Sequence, residues 1–280
     1  MDGSGSVSDL KYTMCDPTKA GGGGGDPHVQ RWNRERSTFH GECDLVMMHS
    51  DGFHNNAGLD LHVRATMHEN LYSYFEAAAM RIGDHTLELH KHDIILDGVS
   101  HAPADLPLTF GSDEYKYTLD NAELEAGKSS RNYQQYKLDL HEDSSIRFNW
   151  YRQMLTIQVK GHENDFGDSS GLLGDYHTGD MIGRQGQLMN DFTDFGFEWQ
   201  VNPGADDMML FREAREPQLP YEKCRLPSKA MQQQSRRLLR GDKVLLAAAN
   251  EACASKTGND FTLCVNDVMI TGDIEMAQTW

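Results

Sequence analysis

The sequence predicts a mainly β protein, an antiparallel β-sandwich with a small helical appendage near its C-terminal end. Three observations carry that expectation. Short runs of alternating apolar and polar residues recur between Asp26 and Val201, turn-forming Gly, Asp and Asn separate them, and helix-forming composition gathers only after residue 228.

The alternating runs are Leu59–Ala65, Thr86–His90, Tyr115–Leu119, Tyr136–Leu140, Ser145–Trp150 and Leu155–Lys160. A period of two places one side-chain set in a core and the other in water, the signature of half-buried antiparallel strands. Many such strands without intervening helices close into a sandwich or an open barrel. Ahead of them, residues 1–25 read as a flexible leader ending in Gly21–Gly25, because a glycine run loses much entropy on ordering. Structure is therefore expected from about Asp26.

Pro203, Pro217, Pro220 and Pro227 punctuate residues 202–227, which read as a surface linker. In 228–280, Asp242 is placed to cap a helix over Lys243–Cys253, with Gly258 as its stop. A second element spans Phe261–Met269, and Asp273 caps a third toward Trp280. Arg236-Arg-Leu-Leu-Arg240 reads as a solvated helix face.

The formal net charge of −17 disfavours nucleic acid and anionic membranes as partners. The longest apolar run, Val244–Ala249, is far short of the roughly 20 residues that a spanning helix needs. Met1 is followed by Asp-Gly-Ser-Gly-Ser, which is no signal-peptide pattern. The five cysteines include no Cys-x-x-Cys pair, so a zinc ribbon is not indicated.

Two segments are more specific. One is Gly25-Asp-Pro-His28, continuing through Trp32-Asn33 to Phe39-His-Gly41-Glu-Cys43. The other is Ser170-Gly-Leu-Leu-Gly-Asp175-Tyr-His177, followed by Met189-Asn190-Asp191 and Phe195-Gly-Phe-Glu-Trp199-Gln-Val201. Over residues 25–201 the chain thereby resembles the von Willebrand factor type D family. Cys253–Asp273 is similar to segments that follow this domain in extracellular mosaic and mucin-like proteins. Ser170 and Leu173 stand where the family has the two cysteines of its closing motif, Asn33 stands for an acidic residue, and Asp175 for an asparagine.

The resemblance implies a calcium site where the opening strand meets the closing loop. Its ligands would be the side chains of Asn33, Asp175, Asn190 and Asp191 and the backbone carbonyl of His177, since calcium takes oxygen. The plain alternative is a surface loop whose Asp and Asn are turn residues. The resemblance also implies a Cys43–Cys224 disulfide, leaving Cys253 with Cys264 and Cys15 without its usual partner; five free thiols in a reducing compartment is the other reading. Some relatives cleave themselves at Gly-Asp-Pro-His, which would make Asp26, Pro27 and His28 a self-cleavage site. Otherwise Pro27 and His28 simply open the first strand.

The implied function is a non-enzymatic structural or adhesive module of a secreted or cell-surface protein, engaging extracellular proteins or copies of itself. A metal-dependent β-sandwich or cupin-like enzyme is the alternative, because His90 and His92 with Glu88 are spaced for one strand face.

Overall fold

The computed structural model describes residues 18–124, 132–141, 143–202, 208–213, 224–228 and 241–279. Its strands form two antiparallel sheets, as the alternation predicts. The first has the order β10 (Leu108–Gly111), β11 (Lys116–Asn121), β12 (Tyr133–His141), β13 (Ser144–Tyr151), β14 (Met154–His162), β1 (Thr18–Gly24), β2 (His28–Gln30), β3 (Arg36–Thr38). The second runs β4 (Asp44–Ser50), β5 (Leu59–His68), β6 (Tyr72–Ile82), β7 (His85–Leu89), β8 (Ile94–Leu96), β9 (Val99–His101). Every alternating run falls on a strand, with His90 and Tyr115 lying one residue outside β7 and β11.

One buried cluster joins the sheets, with Tyr136, Phe148 and Ile157 from the first and Leu61, Val63 and Phe75 from the second. The Trp150 indole N–H donates across the interface to the Glu76 carbonyl at 3.0 Å, so the largest core side chain also satisfies its polar atom.

The glycine run corrects the expected leader. Gly21–Gly24 is no tether: it belongs to β1, which pairs with β14 on one side and β2 on the other. The residue type is set by crowding, since a Cβ on Gly22 would sit 2.0 Å from the Ile157 carbonyl oxygen. Glycine's entropic cost is offset here by ladder hydrogen bonds on both edges.

A second departure concerns the second sheet, where β5 and β6 are buried on nearly both faces. Met208–Glu213, from the expected linker, covers the face away from the sandwich core. Phe211 is buried against Ala77 and Ala79, and the Arg64 guanidinium lies 4.1 Å above its ring. Arg64 is also held by both Asp44 oxygens at 2.9 Å and donates to the Glu213 carbonyl at 2.9 Å. Alternation reports polarity, and a polar row can be buried where its charges pair with each other. Pro203, Pro217, Pro220 and Arg236–Arg240 lie outside the described residues.

Five helices of at least four residues complete the described residues: α1 (Phe53–Asn56), α2 (Glu163–Phe166), α3 (Phe192–Glu198), α4 (Lys243–Ala252) and α5 (Gly258–Thr271). Asp242 caps α4 as expected, its carboxylate accepting from the Val244 and Leu245 amides. Gly258 does not stop that helix. It opens α5, which is longer than the expected Phe261–Met269 element. Asp273 precedes a 3₁₀ turn at Ile274–Thr279 and accepts from the Glu275 amide at 3.1 Å. This tail is docked on the sandwich: Tyr133 and Tyr151, from β12 and β13, share a buried cluster with Cys253, Cys264, Val268 and Met276.

Candidate functional site

The two signature segments meet at one edge of the sandwich. The closing segment lies along β4, Ser170 exchanging both backbone hydrogen bonds with His49 while the Leu172 and Leu173 amides donate to Val46 and Met47. The opening segment joins them, because the Trp32 amide donates to the Leu173 carbonyl at 3.1 Å. The Trp32 ring is buried between Phe166 and Tyr176, at centroid distances of 5.8 and 5.1 Å. Downstream, Phe39 meets Phe197 of α3 edge-on at 5.4 Å.

Within that junction the five expected calcium ligands have different fates. Asp175 folds its loop back on itself: its Oδ1 accepts from the amides of His177 (3.0 Å) and Thr178 (2.8 Å) and from the Thr178 hydroxyl (3.1 Å). Burial opposes the charged carboxylate, but these donors outweigh it and hold its pKa below the usual carboxylate value. Asp175 Oδ2 takes part in none of these bonds. Asn33 lies against the same loop, where a Cβ on Gly179 would meet its Cγ at 2.3 Å. Asn190 is exposed and follows the neck at which the Met189 amide donates to Met181. Asp191 caps α3 through the Asp194 amide at 2.9 Å.

The His177 carbonyl has a protein partner. Expected to face a cation, it accepts from the Lys19 ammonium at 2.9 Å, and Lys19 also takes the Tyr176 carbonyl at 2.7 Å. Arg31 donates to the Gly179 carbonyl at 2.6 Å. Two side-chain cations therefore occupy backbone oxygens of this loop, and a calcium here would be left with Asp175 Oδ2, Asn33, Asn190 and Asp191. That set fits in donor chemistry, being oxygen-rich and anionic. Lys19 was missed because it lies in the run read as a leader.

At the Gly-Asp-Pro-His turn, Asp26 is buried with its Oδ1 2.9 Å from His40 Nδ1. The two atoms are close but misaligned for a hydrogen bond. His28 is directed elsewhere. Its Nδ1 meets the Thr38 hydroxyl at 2.7 Å and its Nε2 meets Asp267 Oδ1 of α5 at 2.9 Å, a contact buried on both sides. The opening motif thus reaches the docked tail, a link invisible in the spacing of either segment.

Both expected disulfides are formed, Cys43–Cys224 and Cys253–Cys264; Cys15 lies outside the described residues. His90 and His92 do not share a strand face with Glu88. The strand β7 ends at Leu89, and His90 to Asp93 form a turn closed by the His90 amide on the Asp93 carbonyl. Glu88 accepts from the His90 ring at 2.7 Å and from the Arg212 amide at 2.9 Å, which commits it to holding the covering segment.

A different histidine group does assemble. Among the described residues, His54, His141 and Asp165 form a cluster of metal-competent side chains whose ligand atoms all lie within 4.8 Å of one another. These residues come from three distant stretches, so no local motif marks them.

The fold and these contacts define a class: a two-sheet antiparallel β protein whose helical tail, stapled within itself by Cys253–Cys264, is docked on it by noncovalent contacts. The chain matches no family model and no curated protein.

Proposed function

We propose that the chain is a non-enzymatic structural or adhesive module of an extracellular or cell-surface protein, with a type D-like sandwich stabilised by calcium. The observation that carries this reading is the junction of the two signature segments on β4, closed by the Cys43–Cys224 bond beside it. Disulfides persist in oxidising compartments, and a 181-residue separation makes this one a long-range tie. Partners of such a module are extracellular proteins or further copies of the chain. Calcium would be held by Asp175, Asn33, Asn190 and Asp191, whose side chains supply the oxygen donors that it takes.

Thermal unfolding in millimolar calcium against chelator tests the proposal. Calcium at about 100-fold excess over its dissociation constant stabilises by about 2.7 kcal/mol, and Asp175→Ala is expected to abolish that gain. Identical melting in calcium and chelator, or free thiols at all four paired cysteines in the native protein, would overturn the reading.

A further inference from the structure

We propose that His54, His141 and Asp165 form a site for a divalent transition metal, zinc by its ligand chemistry, which fastens the two sheets to each other. The site is distinct from the proposed calcium loop and does not depend on it.

Each ligand comes from a different part of the sandwich. His54 lies in α1, the short turn linking β4 to β5 of the second sheet. His141 ends β12 of the first sheet, and Asp165 sits in α2, directly after β14 of that sheet. A metal held by all three would bridge the layers where backbone ladders cannot.

His54 is set up as a ligand rather than as a filler. Its backbone adopts φ 44° and ψ 70°, in the left-handed region that a residue with a Cβ occupies at a cost. Its ring is clamped between Phe53 and Tyr115, at 3.8 and 4.2 Å. Nδ1 meets the Tyr117 hydroxyl at 2.9 Å; with the ring proton there, Nε2 presents its lone pair. Such a partner on the far nitrogen is what fixes the tautomer of a metal-bound imidazole. Nε2 itself is buried and makes no hydrogen bond, although Asp165 Oδ1 is only 3.4 Å away.

Asp165 divides its oxygens in a matching way. Oδ2 accepts from the Ser144 hydroxyl, which leaves Oδ1 facing His54. Zinc bonds of about 2.0–2.2 Å in tetrahedral geometry place neighbouring ligand atoms about 3.3–3.5 Å apart. The observed 3.4 Å matches that edge, whereas an ordinary buried His–Asp pair would align its proton and close up. His141 is exposed and edge-on to His54 with centroids 5.4 Å apart, which leaves the ion a route from solvent. Two imidazoles and one carboxylate suit zinc; calcium would want oxygens throughout. The fourth position would be taken by water.

The test uses the full chain, stripped of metal and titrated with zinc and with cobalt as a spectroscopic stand-in. One zinc per chain is expected, with the visible absorption of tetrahedral cobalt and a raised melting temperature. His141→Ala changes an exposed side chain, so its fold can be verified by circular dichroism. It should weaken zinc binding at least about tenfold and abolish the cobalt band; Asp165→Asn should do the same. Asp175→Ala should leave zinc binding intact, which separates this site from the calcium loop. Wild-type protein that holds no zinc at equimolar concentration would overturn the proposal. So would folded His141→Ala and Asp165→Asn variants that bind as wild type does.

Discussion

His49 shows how one residue's chemistry depends on register. Strand pairing sets it opposite Asp60, and Asp60 opposite Arg81, in one row across β4, β5 and β6. The His49 ring lies 2.6 Å from Asp60 Oδ1, and Arg81 Nε donates to Asp60 Oδ2 at 2.7 Å. The hydrogen bond that the His49 ring donates to Asp60 raises the imidazole pKa above 6.5 against the opposing effect of burial, and the charges of Asp60 and Asp51 add to it. Burial pushes Asp60 upward, but His49 and Arg81 together bring it below 3.8. The signs then differ. The His49 contribution is fully present below pH 6.5 and fades as pH rises through the elevated folded-state value. The Asp60 contribution is present above 3.8 and is lost as pH falls through the depressed one. His49→Gln is therefore expected to flatten the fall in melting temperature above about pH 6.5 while sparing the acid-side loss that Asp60 and Arg81 produce. Because the His49 side chain is 37% exposed, solvent screening keeps this effect small. Melting curves for the two proteins that stay parallel across neutral pH would refute the assignment. In the sequence Asp60 reads only as a polar position within an alternating run, and His49 and Arg81 lie outside any such run; their partnership needs a pairing register that alternation does not specify.

At the scale of elements, β1 is where sequence reading and structure part most clearly. Composition favoured a tether because glycine has no side chain to bury and much entropy to lose. Tertiary crowding reversed that: β1 is an interior strand of the first sheet, and its lack of side chains lets β2 and β14 approach it closely. Gly22→Ala should thus destabilise by about 1–3 kcal/mol through overpacking. Gly241→Ala, where an added Cβ meets nothing within 4 Å, should stay within about 0.5 kcal/mol of wild type. Urea unfolding of the two variants decides it, and equal midpoints would mean that the strand is not held as described. Strands β5, β7 and β11 to β14 were legible because each carries its own period; the remaining strands carry no such run. The expected calcium residues were legible one by one for a similar reason, as members of short motifs. His54, His141 and Asp165 were not, since only the packing of α1, the end of β12 and α2 brings them together.

For the whole molecule, the question is whether sandwich and tail unfold as one. The sequence marks a composition change near residue 228 and invites a separate appendage, yet four kinds of contact cross that boundary. Tyr133 and Tyr151 lie within the tail's own core. The Tyr151 hydroxyl meets Asp273 at 2.5 Å, Arg36 meets Asp260 at 3.2 Å, and buried His28 meets buried Asp267 at 2.9 Å. The two disulfides act on different scales: on a chain-entropy argument Cys43–Cys224 contributes about 5 kcal/mol and Cys253–Cys264 about 3 kcal/mol. The short bond stiffens the tail but does not attach it, so docking rests on noncovalent contacts, among which the His28–Asp267 hydrogen bond is buried on both sides. Asp267→Ala leaves the His28 ring buried without that partner and should cost about 1–3 kcal/mol. Amides in residues 243–279 should then exchange ahead of those in β12 to β14, whereas in the wild type the slowest amides of both regions exchange together. A loss below about 0.5 kcal/mol, or a wild-type tail that already exchanges separately, would mean that the tail rides on the sandwich without sharing its stability. The link between the Gly-Asp-Pro-His turn and α5 would then be contact without coupling.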